Sequence, residues 1–147
     1  MPTQDDLDKL VERYHLALDA FARGDPGPVK ELFSHGDDVV LANPFGPAVR
    51  GWTTAAQHMD AAAGKYRDGA CRRFDRLAAY VAPELACLYE LEHWQARIGD
   101  RKEITEFQLR TTTTFRREGG AWKIAHRHAD PIATASADGP LRSSFDR

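Results

Sequence analysis

Leu109–Asp130 reads LRTTTTFRREGGAWKIAHRHAD. Two runs rich in threonine, aromatic and β-branched residues flank Glu118-Gly119-Gly120, so the stretch predicts an antiparallel hairpin. Alternate residues of a strand share a face. If Arg117 pairs with Trp122, one face collects Leu109, Thr111, Thr113, Phe115, Trp122, Ile124, His126 and His128. The other collects Arg110, Thr112, Thr114, Lys123 and Arg127. The first face is the more apolar and is expected to pack inward. A three-residue turn at Glu118–Gly120 would flip the last strand and expose Trp122 and Ile124, which argues against it.

Upstream the same texture continues. Strands are predicted over about 70–82, 85–97 and 103–117, with the last over 121–130, separated by "APE", "GDR" and "EGGA". Short connections make neighbours antiparallel. Pairing Arg97 with Glu103 would be favourable for charge. It would turn Tyr89, Leu91 and His93 inward, and set Glu90 against Arg110 on the outer face.

Helices come first in the chain. Leu7, Leu10, Val11, Tyr14, Leu18 and Phe21 recur at helical spacing, and Gly24 closes the run. Asp25-Pro26 predicts a cap and first turn for a short helix through Val29, Leu32 and Phe33. Val39–Ala42 is a short strand, Asn43-Pro44-Phe45-Gly46-Pro47 a turn, and Ala48–Arg50 the return. Thr54 and Gln57 have capping-box spacing and predict a third helix over 54–66. Helices followed by a meander define an α+β domain over residues 1–131, with a polar tail over 132–147.

Composition narrows the function. The chain has 147 residues, 42% hydrophobic and 29% charged, with a net charge of −2. Its basic residues are dispersed, so no nucleic acid is expected as partner. No apolar run approaches the roughly 20 residues of a membrane span, so no membrane is expected either. The acidic N-terminus is neither signal nor transit peptide, and Cys71 and Cys87 have no metal spacing. A cytoplasmic protein is expected.

His126, His128 and Asp130 share one strand face in this reading, beside Thr111 and Thr113, with Tyr89 and Cys87 one strand further over. Three meanings stay open for the histidines: metal ligands, a substrate contact or acid–base group, or a structural polar seam. A metal needs further ligands, and only His93 and Asp130 are at hand, so no metal or other cofactor is expected. Tyr14 is either a core tyrosine or a hydroxyl aimed at a cavity. Trp94, Trp52 and Phe45 are candidates for lining its mouth.

Two stretches carry a resemblance. RYHLALDAFARGDPGPVKELFSHGDDVVLANPFGPAVRGW (13–52) resembles the opening of the nuclear-transport-factor-2-like superfamily, and Leu109–Asp130 resembles the closing hairpin of its SnoaL-like branch. The likeness spans about residues 7–131. It implies a cone-shaped, curved antiparallel sheet wrapped around three N-terminal helices, a pocket at the open end, and a homodimer through the outer sheet face. By resemblance to ketosteroid isomerase, Tyr14 would take the place of the phenol that donates to the substrate oxygen. Asn43 would stand where that enzyme has its aspartate base, and the second, carboxylic donor would fall in the Thr111–Thr113 run. An amide cannot take up the proton, which argues against that activity.

The expectation is therefore a pocket for a small hydrophobic or carboxylate ligand, with Tyr14, His126 and His128 as catalytic candidates. Asn43, Tyr89, His93, Trp94, Thr111 and Thr113 are the expected lining. Isomerase, cyclase or hydratase chemistry and a non-catalytic binding or oligomerisation module are both compatible with it.

Overall fold

The computed structural model describes residues 4–131. Helix α1 spans Gln4–Ala22 and buries Leu7, Leu10, Val11, Tyr14 and Leu18 as their spacing requires. The chain then turns at Gly24, whose φ of 93° lies in the left-handed region glycine tolerates. Helix α2 covers Gly27–Leu32, where the Gly27 N–H donates to Asp25 Oδ1 at 3.0 Å. Strands β1 (Val40–Ala42) and β2 (Val49–Arg50) flank the Asn43–Pro47 turn. Helix α3 runs Trp52–Ala63, starting before the expected Thr54. Its start is set by Gly51, at φ 91°, without a side-chain cap. The Gly51 N–H donates to Val39 O and the Trp52 N–H to Gly36 O, so the main chain supplies what a capping box would have.

Four long strands follow: β3 (Tyr66–Val81), β4 (Leu85–Ile98), β5 (Thr105–Glu118) and β6 (Ala121–Asp130). They form one curved, open sheet in the order β2-β1-β6-β5-β4-β3, antiparallel except where β1 runs parallel to β6. The core lies between its helix-facing side and the helices. Among the described residues no helix is long and apolar enough to cross a membrane.

Two register details decide which side chains enter that core. The Arg97–Glu103 pairing does not form. Instead Ala96 pairs with Thr105 and Leu88 with Thr113, one residue away from the expected register. Arg97 spends its guanidinium on Lys102 O and Asp68. A slip of one residue exchanges the two faces of a strand. Glu90, Glu92 and Trp94 therefore point inward, and Tyr89, Leu91 and His93 outward. The expected Glu90–Arg110 pair is also absent, because Arg110 opposes Leu91 and is bound instead to Asp130.

The second detail lies in the hairpin. Arg117 pairs with Trp122 and Phe115 with Ile124, as expected. A bulge then places Thr114 opposite His126. Ile124 and Ala125 are both buried, and every residue beyond them changes face. Here β6 exchanges neighbours. Ile124 O accepts from the Ser34 N–H at 2.8 Å, and from His126 onward the strand pairs with β1. The bulge sends Arg127 into the core and turns His126 and His128 to the outer face, reversing the expected orientation.

Candidate functional site

Arg127 is the centre of the interior polar cluster. Its two terminal nitrogens each donate to one oxygen of Glu92 at 2.8 Å, and Nη1 also donates to the Tyr14 hydroxyl. Tyr14 O–H lies 3.2 Å from Thr113 Oγ1, and Trp94 Nε1 donates to Glu92 Oε1 at 3.0 Å. Arg127 is 6% exposed and Glu92 is fully enclosed. One helix and three strands thus contribute to a single network.

The network sets the protonation of its members. Burial works against the charge on Arg127, but the Glu92 carboxylate and the Tyr14 oxygen outweigh it and hold the guanidinium's proton more tightly than usual. Burial pushes the Tyr14 phenol above its ordinary value, against the pull of Arg127, so it remains a neutral donor. Both Glu92 oxygens accept hydrogen bonds, Oε1 from Arg127 and Trp94 and Oε2 from Arg127.

Against this network lies a cavity of about 30 Å³. Arg127 forms its polar wall and Leu18, Phe33 and Met59 part of its apolar wall. Toward the Asn43–Pro47 turn the lining becomes aromatic, with Phe45, Tyr66 and Trp94. Trp94 and Tyr66 both stack on Phe107, with centroids 5.9 and 6.0 Å away, and Phe45 meets Tyr66 edge-on at 5.4 Å. Phe45 is 38% exposed, the most exposed aromatic residue of the lining. Its turn is fixed by the Phe45 N–H donating to Asn43 Oδ1 at 3.0 Å, an Asx turn.

The expected site residues divide accordingly. Tyr14, Thr111 and Thr113 are buried on the inner face, and Thr111 donates to Glu90 O. Asn43 and Trp94 line the cavity. Tyr89, His93, His126 and His128 do not join them. His93 contacts Asp75 at 2.7 Å, His126 Nδ1 contacts Val40 O at 3.0 Å, and His128 is exposed 3.8 Å from Asp130. Among the described residues no three His, Cys, Asp or Glu side chains converge to hold a metal.

The sequence reading missed Arg127, Glu92 and Glu90. Glu90 is buried too, with both oxygens within 3.1 Å of His15 Nε2. The trace left in the sequence is the apolar doublet Ile124-Ala125, which breaks the alternation of β6 where the bulge forms.

Family comparison agrees with this architecture. Residues 10–134 match the model of the SnoaL-like domain, and the chain belongs to that family. A nuclear transport factor 2 superfamily protein from Salmonella enterica superposes with a TM-score of 0.74 at 20% identity, over 90% of this chain and 93% of the other. A ketosteroid isomerase-like protein from Erwinia carotovora gives 0.72 at 17% identity, over 88% and 96%. A protein of unknown function from Pseudomonas putida gives 0.67 at 21% identity, over 92% and 89%. Likeness at these identities establishes the fold alone. No curated protein sequence matches the chain.

Proposed function

We propose that this chain binds a small, mainly apolar molecule in the aromatic cleft, with an acceptor oxygen of the ligand directed at Arg127. The observation that carries this reading is the cleft's ending on a charged guanidinium already oriented by Glu92 and Tyr14. A donor held in place before binding adds to affinity because little order is lost when the ligand arrives. Glu92 already neutralises Arg127, which favours a carbonyl, hydroxyl or ester oxygen over a free carboxylate. The cavity is too small to accept such a molecule as it stands. A ligand would have to widen it, and we take the Asn43–Pro47 turn as the part that yields, because Phe45 is the most exposed aromatic residue of the lining.

Any chemistry on the bound molecule would start from the same donor. Arg127, backed by the neutral Tyr14 phenol, is suited to polarising a carbonyl, the electrophilic half of an isomerase or hydratase reaction. Among the described residues the cavity lining offers no carboxylate or imidazole as the basic half, and Asn43 Oδ1 is occupied by its turn. Binding is therefore the reading the site supports best.

A thermal-shift series of apolar carbonyl compounds tests it, since a ligand specific to the native state raises the melting temperature. A compound that stabilises the wild type should lose most of that effect against Trp94→Ala and against the paired substitution Arg127→Met with Glu92→Leu. Shifts that survive both would place binding elsewhere, and a library with no stabilising member would refute the proposal.

A further inference from the structure

Glu90 is a buried carboxylate that takes no part in the cleft. It points inward from β4 with its side chain 2% exposed. His15 Nε2 lies 2.9 Å from its Oε1 and 3.1 Å from its Oε2. The Thr111 hydroxyl goes to the Glu90 main-chain oxygen instead, and Arg127 is spent on Glu92. A carboxylate shut away from water needs a donor. Among the described residues only His15 supplies one. Its Nε2 therefore carries a proton, and the neighbour sets the tautomer.

The ring is also fixed from the side. It lies flat on Phe74, with centroids 3.6 Å apart and planes 7° from parallel. The second ring nitrogen stays open. Nδ1 has no hydrogen-bond partner among the described residues, and it is not one of the enclosed polar atoms left without one. It therefore meets solvent, in keeping with a side chain 24% exposed.

That solvent fills an open groove of about 500 Å³ between α1 and the first half of β3. Leu16, 72% exposed, and Phe74 give the groove apolar walls. Arg72 adds an exposed cation, 3.6 Å from Asp19. The other acids of the groove are poor bases. Asp19 already accepts from the Cys71 N–H and from Arg23, and Glu12 is an exposed, solvated carboxylate.

We infer that His15, oriented by Glu90, is an acid–base centre that hydrolyses small esters with an apolar acyl chain. The chain lies along Leu16 and Phe74. Nδ1 takes a proton from a water molecule as the water oxygen bonds to the ester carbonyl carbon. The tetrahedral intermediate then collapses, the carbon–oxygen bond to the alcohol breaks, and Nδ1 returns the proton to the departing alkoxide. Ester and water become acid and alcohol, and the ring ends as it began. Glu90 stays ionised throughout and stabilises the imidazolium formed midway, so it is a positioning residue. Arg72 supplies positive charge for the oxygen that becomes negative. The inference uses no residue of the aromatic cleft and does not rest on ligand binding there.

Turnover of p-nitrophenyl butyrate by the full chain tests it, at about pH 8, above the ordinary histidine value. The wild type should turn over repeatedly, and His15→Gln should lower kcat/KM about 100-fold. His128→Ala, which removes an exposed histidine of the outer face, should leave the rate unchanged. Leu16→Ser alters an exposed position, so the fold should stay intact while KM rises. Nitrogen NMR reads the tautomer directly. The neutral wild-type ring should carry its proton on Nε2. In Glu90→Gln, whose amide can donate as well as accept, part of the proton should move to Nδ1 and kcat should fall. Turnover that survives His15→Gln would overturn the inference. So would an equal loss in His128→Ala, a KM indifferent to Leu16→Ser, or a wild-type ring protonated on Nδ1 alone.

Discussion

The guanidinium of Arg127 and the carboxylate of Glu92 meet through two parallel hydrogen bonds of 2.8 Å, with both side chains shut away from solvent. A pair of this kind adds little net stability, yet breaking it is costly because one charge is left buried alone. Arg127→Ala is expected to lose about 3–5 kcal/mol in denaturant unfolding. Arg127→Met combined with Glu92→Leu should lose much less than the single substitution. Equal losses would show that the two residues are not coupled.

Tyr14→Phe removes an acceptor for Arg127 and a partner for Thr113. A buried group left unsatisfied costs about 1–3 kcal/mol, and a loss of that size is expected by chemical denaturation. Thr113→Val should cost less, because the Tyr14 oxygen keeps Arg127.

Alkaline pH should unfold the protein through its buried phenols. Burial raises the folded-state values of Tyr14 and Tyr66 above the ordinary tyrosine value. The unfolded chain therefore releases protons first, and stability falls as pH rises past about 10. Tyrosinate absorbance from these two residues should appear together with loss of the native circular dichroism signal. Absorbance from all four tyrosines while the fold remains intact would contradict this.

Acid should act through different groups. Hydrogen bonding from Ser34, reinforced by Arg116 against the opposing effect of burial, holds Glu118 below the usual carboxylate range. For Asp19, burial pushes upward but is outweighed by the Cys71 N–H and Arg23. Depressed carboxylates stabilise the fold above their unfolded value, and that stability is lost as pH drops below about 4. Glu118→Gln should shallow the acid limb of a stability–pH profile and leave the alkaline limb unchanged.

Gly69→Ala should be more damaging than most surface substitutions. A Cβ there would lie 2.5 Å from both Ala22 O and Gln95 O and 2.7 Å from Ala96 Cβ. These are backbone atoms and a buried methyl group, with no flexible end to move aside. A loss of about 1–3 kcal/mol is expected from overpacking, readable as a lower unfolding midpoint. Gly46→Ala, with nothing within 4 Å, serves as the control.

His128→Ala should change stability by about 0.5 kcal/mol or less, as expected for an exposed side chain. It should also leave any ligand-induced thermal shift unaltered. A lost shift would return the outer face to consideration as the binding surface.

The sequence alone determined the element order, the helix periodicity and the inward set of β5. The alternation of Leu109, Thr111, Thr113 and Phe115 needs no partner to be read, and neither does the apolar stripe of α1. Rejecting a three-residue turn likewise gave the first pairs of the last hairpin, where Gly119-Gly120 forms the turn and Arg117 pairs with Trp122. The buried polar network was decided only by tertiary structure. Strand parity propagates one residue at a time, so a single slip between β4 and β5 turned Glu90 and Glu92 inward. One bulge after Ile124, formed where β6 leaves Ser34 and takes up β1, exchanged the two histidines for Arg127. Such choices depend on strand neighbours far apart in the chain, and local pattern cannot encode them.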